Sequence, residues 1–223
     1  ILHMLVAELI NNNIPRLQLQ DTVGKARQLI NDFKLTHLPV VSENKFLGLI
    51  SEEDLLDVED EKIPIELIQE NLASVFVFDD IHFLNAISVC NQHDTSVVPI
   101  LNKSKGFVGI VTVSDLLKVL GSFTGANEIG GIIVLEMERS QFAISEISRI
   151  VESNDSTILH LNTMTDTSTG ILTVTLHINN REISAIVASF ERYDYNVRYH
   201  FGAENFSNEI EDNYKNLMNY LNL

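Results

Sequence analysis

Two short stretches hold the groups best suited to chemistry. Ser51-Glu52-Glu53-Asp54 and Thr112-Val113-Ser114-Asp115 each set a hydroxyl three residues ahead of a carboxylate. At a helix start this spacing makes a capping box, in which the hydroxyl accepts one orphan N–H and the acid folds back on another. The same geometry suits a ligand. Free N–H groups and the positive end of the helix dipole attract phosphate. The hydroxyl can donate to a phosphate or ribose oxygen, and the short carboxylate can accept from the two hydroxyls of a ribose. On the residues alone, both readings stand.

The elements that must position these groups are written twice. "GLISEEDLL" (Gly48 to Leu56) returns as "GIVTVSDLL" (Gly109 to Leu117). Ahead of them "THLPVV" (Thr36 to Val41) aligns with "TSVVPIL" (Thr95 to Leu101), with Pro39 on Pro99 and Thr36 on Thr95. The period is about 60 residues, and such a repeat governs the fold. In each copy a helical stripe comes first: Ala26, Leu29, Ile30 and Phe33 within 21–34, and Phe83, Ala86, Ile87 and Cys90 within 81–93. Two short apolar strands around a polar turn then predict a hairpin, 38–41 with 46–50 and 97–101 with 107–111. A second helix starts directly after each hairpin.

This doubled pattern resembles the CBS domain, a β-α-β-β-α module, and two in tandem resemble a CBS pair. The resemblance rests on the Pro-containing strand, the glycine of the next strand and the hydroxyl-x-x-Asp that ends it. It implies modules over 4–61 and 62–121, with adenosyl ligands (AMP, ADP, ATP or S-adenosylmethionine) in the clefts between them. It further implies that Asp54 and Asp115 hold ribose, with Ser51 and Thr112 beside the phosphates. Ile14, Pro15, Thr36, Leu38 and Pro39, and in the second copy Ala73, Ser74, Thr95 and Pro99, would line the adenine. His37 and His93 precede the hairpin strands and could meet a phosphate.

A glycine-rich linker is expected over 122–130, followed by a second pattern. Its strands (132–138, 157–164, 170–178, 196–201) and helices (around 144–151 and 181–190) run in the order β-α-β-β-α-β, the ferredoxin-like arrangement. Over 131–202 this resembles an ACT domain, and the whole resembles the acetoin-utilisation B-type CBS–ACT proteins. The turn Glu138-Arg139-Ser140-Gln141-Phe142 has neither proline nor glycine, so packing or dimerisation is expected of this domain ahead of amino-acid binding. Over 203–223, Ile210, Tyr214, Leu217 and Leu221 predict an acidic amphipathic helix. The fold class that follows is α+β.

Composition narrows the function. The 223 residues carry a formal charge of −16, with 15 Lys and Arg in no cluster, which excludes a nucleic-acid footprint. No apolar run is long enough to span a bilayer, so neither membrane nor nucleic acid is an expected partner, and the reading places the chain in the cytoplasm. There is no nucleophile or phosphate-loop motif and no metal-ligand spacing among the seven histidines. Neither catalysis, nor a metal, nor a resident cofactor is expected. The lone Cys90 sits on an apolar helical stripe and reads as structural. A homodimer or larger assembly is expected, because paired modules leave apolar helix faces and a sheet edge. No segment reads as an effector domain, so the regulated protein partner is not legible. A structural scaffold with empty clefts and an amino-acid-responsive regulator are the alternatives.

The two clefts are not expected to be equal. Glu52 and Glu53 separate hydroxyl from acid in the first motif, where the second has Val113 and Ser114. One like-charge pair about 6–8 Å apart at an effective dielectric of about 40 costs on the order of 1 kcal/mol. With Lys103 and Lys105 in the second hairpin, phosphorylated ligands are expected at Thr112 and Asp115. The first cleft is expected to be empty, or to take a ligand with an uncharged or cationic tail such as that of S-adenosylmethionine.

Overall fold

The computed structural model describes residues 4–203, which form two compact units divided at Phe123/Thr124. The amphipathic helix expected at the C-terminus lies outside the described residues.

The first unit holds both repeats. Helix α1 (Val23–Phe33) is capped by Thr22, whose hydroxyl accepts from the Lys25 N–H, and ends on Lys34 in the left-handed region. Strands β1 (His37–Ser42) and β2 (Lys45–Ser51) pair antiparallel, and α2 (Glu52–Leu56) follows. The copy comprises β3 (Val77–Phe78), α3 (Phe83–His93), β4 (Val97–Leu101), β5 (Phe107–Thr112) and α4 (Val113–Phe123). Here β3 lies parallel to β4, and β4 antiparallel to β5. In the first copy the strand matching β3 is reduced to one bridge, Leu17 beside Val40.

The second helices differ in length for identifiable reasons. After α2, the Arg27 guanidinium donates to the carbonyls of Leu55 and Val58 (2.7 Å to Val58) and pairs with Glu61 at 2.9 Å. Those carbonyls are therefore satisfied without further helical turns. Helix α4 instead runs through Gly121 and two residues into the expected linker, to Phe123. Its last residue, Phe123, packs edge-on against Phe83 with ring centroids 5.5 Å apart. Such a contact outweighs the roughly 1 kcal/mol helix penalty of one glycine.

The two modules are braced crosswise. Residues 4–11 lie on the second module, where Val6 N–H donates to Ile81 O and Asn11 N–H to Ile110 O. Only then does the chain enter the first module at Leu17. In the same way Ala73 exchanges both backbone hydrogen bonds with Leu49 of β2 before the chain joins β4 as β3. The resulting core is shared: Leu38, Leu49 and Leu55 of the first copy pack in one cluster with Val97, Phe107 and Ile110 of the second.

The second unit is a sheet of strand order β7-β8-β6-β9, from β6 (Gly131–Glu138), β7 (Ile158–Thr165), β8 (Ile171–Ile178) and β9 (Asn196–Phe201). All its pairings are antiparallel. Helices α5 (Ile144–Glu152) and α6 (Ser184–Arg192) complete the β-α-β-β-α-β order. Alternate residues of β6 and β8 (Ile133, Leu135, Val174, Leu176) pack with Ile147, Ile150, Ile186 and Phe190, the period-two face that one-sided burial demands. Helix α6 starts later than the apolar pattern indicates, because Asn180 Oδ1 accepts from the Glu182 N–H and holds a turn there.

Candidate functional site

Both repeated motifs fold as hydroxyl–carboxylate pairs at a strand-to-helix junction. Ser51 caps α2: its Oγ accepts from the Asp54 N–H at 3.0 Å, while Asp54 Oδ2 accepts from Ser51 N–H (3.0 Å) and Ser51 O–H (2.5 Å). This is the reciprocal capping box. It uses only one carboxylate oxygen. Asp54 Oδ1 makes no hydrogen bond or ion pair with any described residue. In the second module Thr112 Oγ1 accepts from Asp115 N–H at 3.1 Å and donates to Asp115 Oδ2 at 2.6 Å. Asp115 Oδ2 also accepts from the Asn11 side-chain amide at 2.9 Å, and Lys118 Nζ stands 3.4 Å from Oδ1.

Each carboxylate borders a cavity. Around Asp54 one of about 440 Å³ is lined by Ser51, Thr36 and Ala73, with Leu49, Glu52, Glu53, Asn71, His37, His93 and Asp94. Around Asp115 one of about 530 Å³ is lined by Glu8 to Asn13, Lys118 and Val119. The cross-bracing decides these linings. The first carboxylate faces the segment entering the second module, and the second carboxylate faces the segment entering the first. Ala73 therefore belongs with Asp54, and Ile10 to Asn13 with Asp115. That assignment depends on topology and leaves no mark in the sequence.

The other expected residues fall elsewhere. Leu38, Pro39 and Pro99 are buried within β1 and β4. Ile14 packs on the shared core, Pro15 is half-buried, and Ser74 lines a different cavity at the hairpin turns. Thr112 is buried and touches its cleft through Asp115. Thr95 is 4% exposed, and its hydroxyl is spent on Val97 O at 2.8 Å. The structural partner of Thr36 is Ser96: Glu52 N–H donates to Thr36 O as Val113 N–H donates to Ser96 O. A one-residue insertion before Pro99 shifts the alignment, and the pairing of His37 with Ser51 and Val97 with Thr112 restores it.

The repeated glycines have a packing reason. A Cβ on Gly109 would lie 2.4 Å from Ile10 Cγ2, and one on Gly48 2.7 Å from Leu72 Cβ. Both distances are far inside van der Waals contact. Each glycine makes room for the crossing segment that closes its module's cleft.

Electrostatics separate the clefts. Glu52, Glu53, Asp54 and Asp94 line the first with no Lys or Arg, and the five residues of α2 put three acids in its first turn. Burial lowers the His37 pKa, and the facing carboxylates of Asp54, Asp94 and Glu53 oppose that shift without reversing it. In the second cleft the eleven-residue α4 has one acid in its first turn, and Lys118 stands at the mouth. Lys103 and Lys105 do not line this cleft. Lys103 pairs with Asp80 at 2.9 Å, and Lys105 lines the hairpin-turn cavity with Lys45. For Asp115, burial pushes the carboxyl pKa up, but hydrogen bonds from Thr112 and Asn11 and the charge of Lys118 carry it below the ordinary value. Among the described residues no cluster of His, Cys, Asp and Glu could hold a metal, and no helix is long and apolar enough to cross a membrane.

The CBS domain family profile matches residues 6–61 and 67–122. Over 124 residues the chain is 26% identical to a homoserine O-acetyltransferase of Methanosarcina acetivorans, covering 54% of this chain and 23% of that protein. The chain thus spans about a quarter of the length of that relative. Among solved structures it is similar to a CBS domain pair/ACT domain protein from Thermotoga maritima, at 20% identity and TM-score 0.49, covering 54% of this chain and 98% of the other. It is also similar to a Vibrio cholerae protein described as an acetoin utilization protein, at 21% identity and TM-score 0.47, covering 56% and 96%. The two matched segments together make up half of the residues and coincide with the two braced modules, so the chain belongs to the CBS domain family and carries two CBS modules in tandem.

Proposed function

We propose that the protein is a non-catalytic regulatory sensor whose two clefts take different adenosyl ligands. The observation that carries this reading is the twice-built hydroxyl–carboxylate pair at the edge of a cavity, with Asp54 Oδ1 left unspent. A ribose offers two adjacent hydroxyl donors to such an acceptor. The first cleft, ringed by four carboxylates, favours a ligand with a cationic tail, and S-adenosylmethionine fits that chemistry. The second, with Lys118 and the longer α4, favours AMP, ADP or ATP.

The sensor works as a homodimer in this reading. Val113 and Leu117 leave apolar side chains exposed one turn apart on α4, with Leu56 exposed on α2. The second unit serves as an ACT-like pairing domain, whose edge strand β9 exposes Tyr199 and Phe201. Calorimetric titration with S-adenosylmethionine and with ATP tests the ligand reading, with binding expected for both. Absence of heat with either ligand would leave the two motifs as helix caps alone. Light scattering that gave the 25 kDa monomer mass at micromolar concentration would remove the dimer.

A further inference from the structure

Helices α5 and α6 cover one face of the second unit's sheet, and among the described residues of this unit no α-helix covers the other. That open face has an apolar end. Strand register sets His177, Ile132 and Phe201 side by side in one row, and Thr175, Val134 and Tyr199 in the next. Ile132, Tyr199 and Phe201 are 38%, 51% and 58% exposed. The opposite end of the face carries Glu136, Glu138 and Asp166 around a cavity, where Arg198 pairs with Glu136.

The sequence of β6 records the same division. Ile132, Ile133, Val134 and Leu135 form an unbroken apolar run, after which Glu136, Met137 and Glu138 alternate. An unbroken run suits a strand buried on both faces, and alternation suits burial on one. Ile133, Leu135 and Met137 already face the helices. Ile132 and Val134 therefore mark an end of the sheet that is built for a second cover.

Strand β9 delivers the chain to that end. Phe201 is its last residue, and two residues later Ala203 N–H is bonded to Arg181 O at 3.0 Å. Residues 204–223 follow. At helical spacing Phe206, Ile210, Tyr214, Leu217 and Leu221 share one side, with Asn208, Asp212, Lys215 and Asn219 opposite. A helix over 207–223 would be about 25 Å long, close to the roughly 26 Å of an eight-residue strand. The stretch has four acids and one lysine, which suits the two carboxylate-free rows and not the end that carries Glu136 and Glu138.

We propose that residues 207–223 dock as a helix on the apolar end of the open sheet face of their own chain, with Ile210, Leu217 and Leu221 against Ile132, Val134, Tyr199 and Phe201. The tether decides for the chain's own tail over that of a second copy. Only residues 204–206 separate the docked helix from the anchored Ala203, and so short a link gives an effective concentration in the millimolar range. A second copy at micromolar concentration competes poorly with that. The backbone edge of β9 stays open for pairing between chains, so the docking is independent of the proposed ligands and dimer. Burying one leucine is worth about ten- to a hundredfold in an equilibrium constant, and Leu217→Asp is expected to shift docking by at least that factor.

The test uses the full chain with a nitroxide at Asn219→Cys, on the polar side of the tail, and with Cys90→Ala. The amide signals of Ile132, Val134 and Thr175 are expected to broaden, and those of Ile150 and Ile186 on the helix side are not. In a mixture of spin-labelled chain without nitrogen-15 and nitrogen-15 chain without the label, that broadening is expected to disappear. Broadening that persists in the mixture seats the tail on a second copy and overturns the proposal. Broadening confined to other residues, or none, overturns it as well. Leu217→Asp is expected to abolish the signal, and its survival would show that the apolar stripe does not make the contact. An arm without label or cysteine change compares the native chain with Leu217→Asp/Leu221→Asp in anilinonaphthalene sulfonate. Dye fluorescence is expected to rise several-fold in the variant and to rise less when Phe201→Thr is added. Equal fluorescence in the native chain and the variant would mean that no face was uncovered, and would also overturn the docking.

Discussion

Thr36 and Ser96 exchange hydrogen bonds across the join between the two modules. Thr36 N–H donates to Ser96 Oγ at 2.8 Å, Ser96 N–H donates to Thr36 Oγ1 at 3.1 Å, and the Thr36 hydroxyl donates to Ser96 Oγ at 3.1 Å. The two residues hold equivalent positions, so each module satisfies the other's strand-start N–H. Thr36→Ala and Ser96→Ala are each expected to cost about 1 kcal/mol, since each leaves one backbone donor short of its partner. The double variant is expected to cost less than the sum, by roughly 0.5–1 kcal/mol. Urea unfolding of the four proteins measures this coupling, and strict additivity would show that the residues do not act as a pair.

That pair also divides what is local in the sequence from what only the fold brings together. Helical stripes such as Ala26–Leu29–Ile30 and hairpins flanking polar turns are local patterns, and they fold as their periodicity indicates, except that Phe33, the last residue of that stripe, is 42% exposed where α1 ends. So do the two hydroxyl–carboxylate motifs. The equivalence of Thr36 with Ser96, and not with Thr95, is set by strand register, a non-local property that alone resolves a one-residue insertion. Asn11 carried no motif at all. Its hydrogen bond to Asp115 follows from a chain crossing that places the N-terminal segment against the second module. The Arg27 contacts that end the short α2 reach 28 and 31 residues along the chain and leave no local pattern.

Gly109→Ala is expected to destabilise the first unit by about 1–3 kcal/mol, the range for overpacking a filled interior. The added methyl meets Ile10, so the loss should come with weaker protection of residues 4–13. Gly48→Ala should cost a similar amount through Leu72 but leave those residues protected. Amide exchange of the two variants separates them, and equal loss of N-terminal protection in both would contradict the assigned contacts.

The Cys90 thiol is 6% exposed, and burial pushes its pKa up to about 11. At pH 8 almost none of it is thiolate, so alkylation by iodoacetamide should proceed only through opening of the fold. Native protein is expected to react at least a hundredfold more slowly than protein in denaturant. Comparable rates in the two states would contradict a structural thiol.

His37 is held below its ordinary pKa of 6.5, chiefly by burial. The unfolded chain therefore takes up this proton at a higher pH than the folded chain does. The contribution of His37 to stability is full above pH 6.5 and is lost as pH falls from there toward the folded pKa. Unfolding free energy measured against pH should lose that part of its acid slope in His37→Gln. An imidazole resonance of His37 titrating above 6.5 would contradict the stated balance of burial against Asp54, Asp94 and Glu53.

In the proposed function the two carboxylates serve different adenosyl ligands. Its most direct measurement is thermal unfolding of the native chain, Asp54→Ala and Asp115→Ala, with S-adenosylmethionine, ATP or GTP and with chelator present. A ligand at a hundred times its Kd stabilises by about 2.7 kcal/mol, which raises Tm by roughly 5–10 °C for a chain of this size. Such a rise is expected with S-adenosylmethionine and is lost in Asp54→Ala. Another is expected with ATP and is lost in Asp115→Ala, with less effect from GTP. No rise with any adenosyl ligand, or an ATP response that depends more on Asp54 than on Asp115, would contradict it.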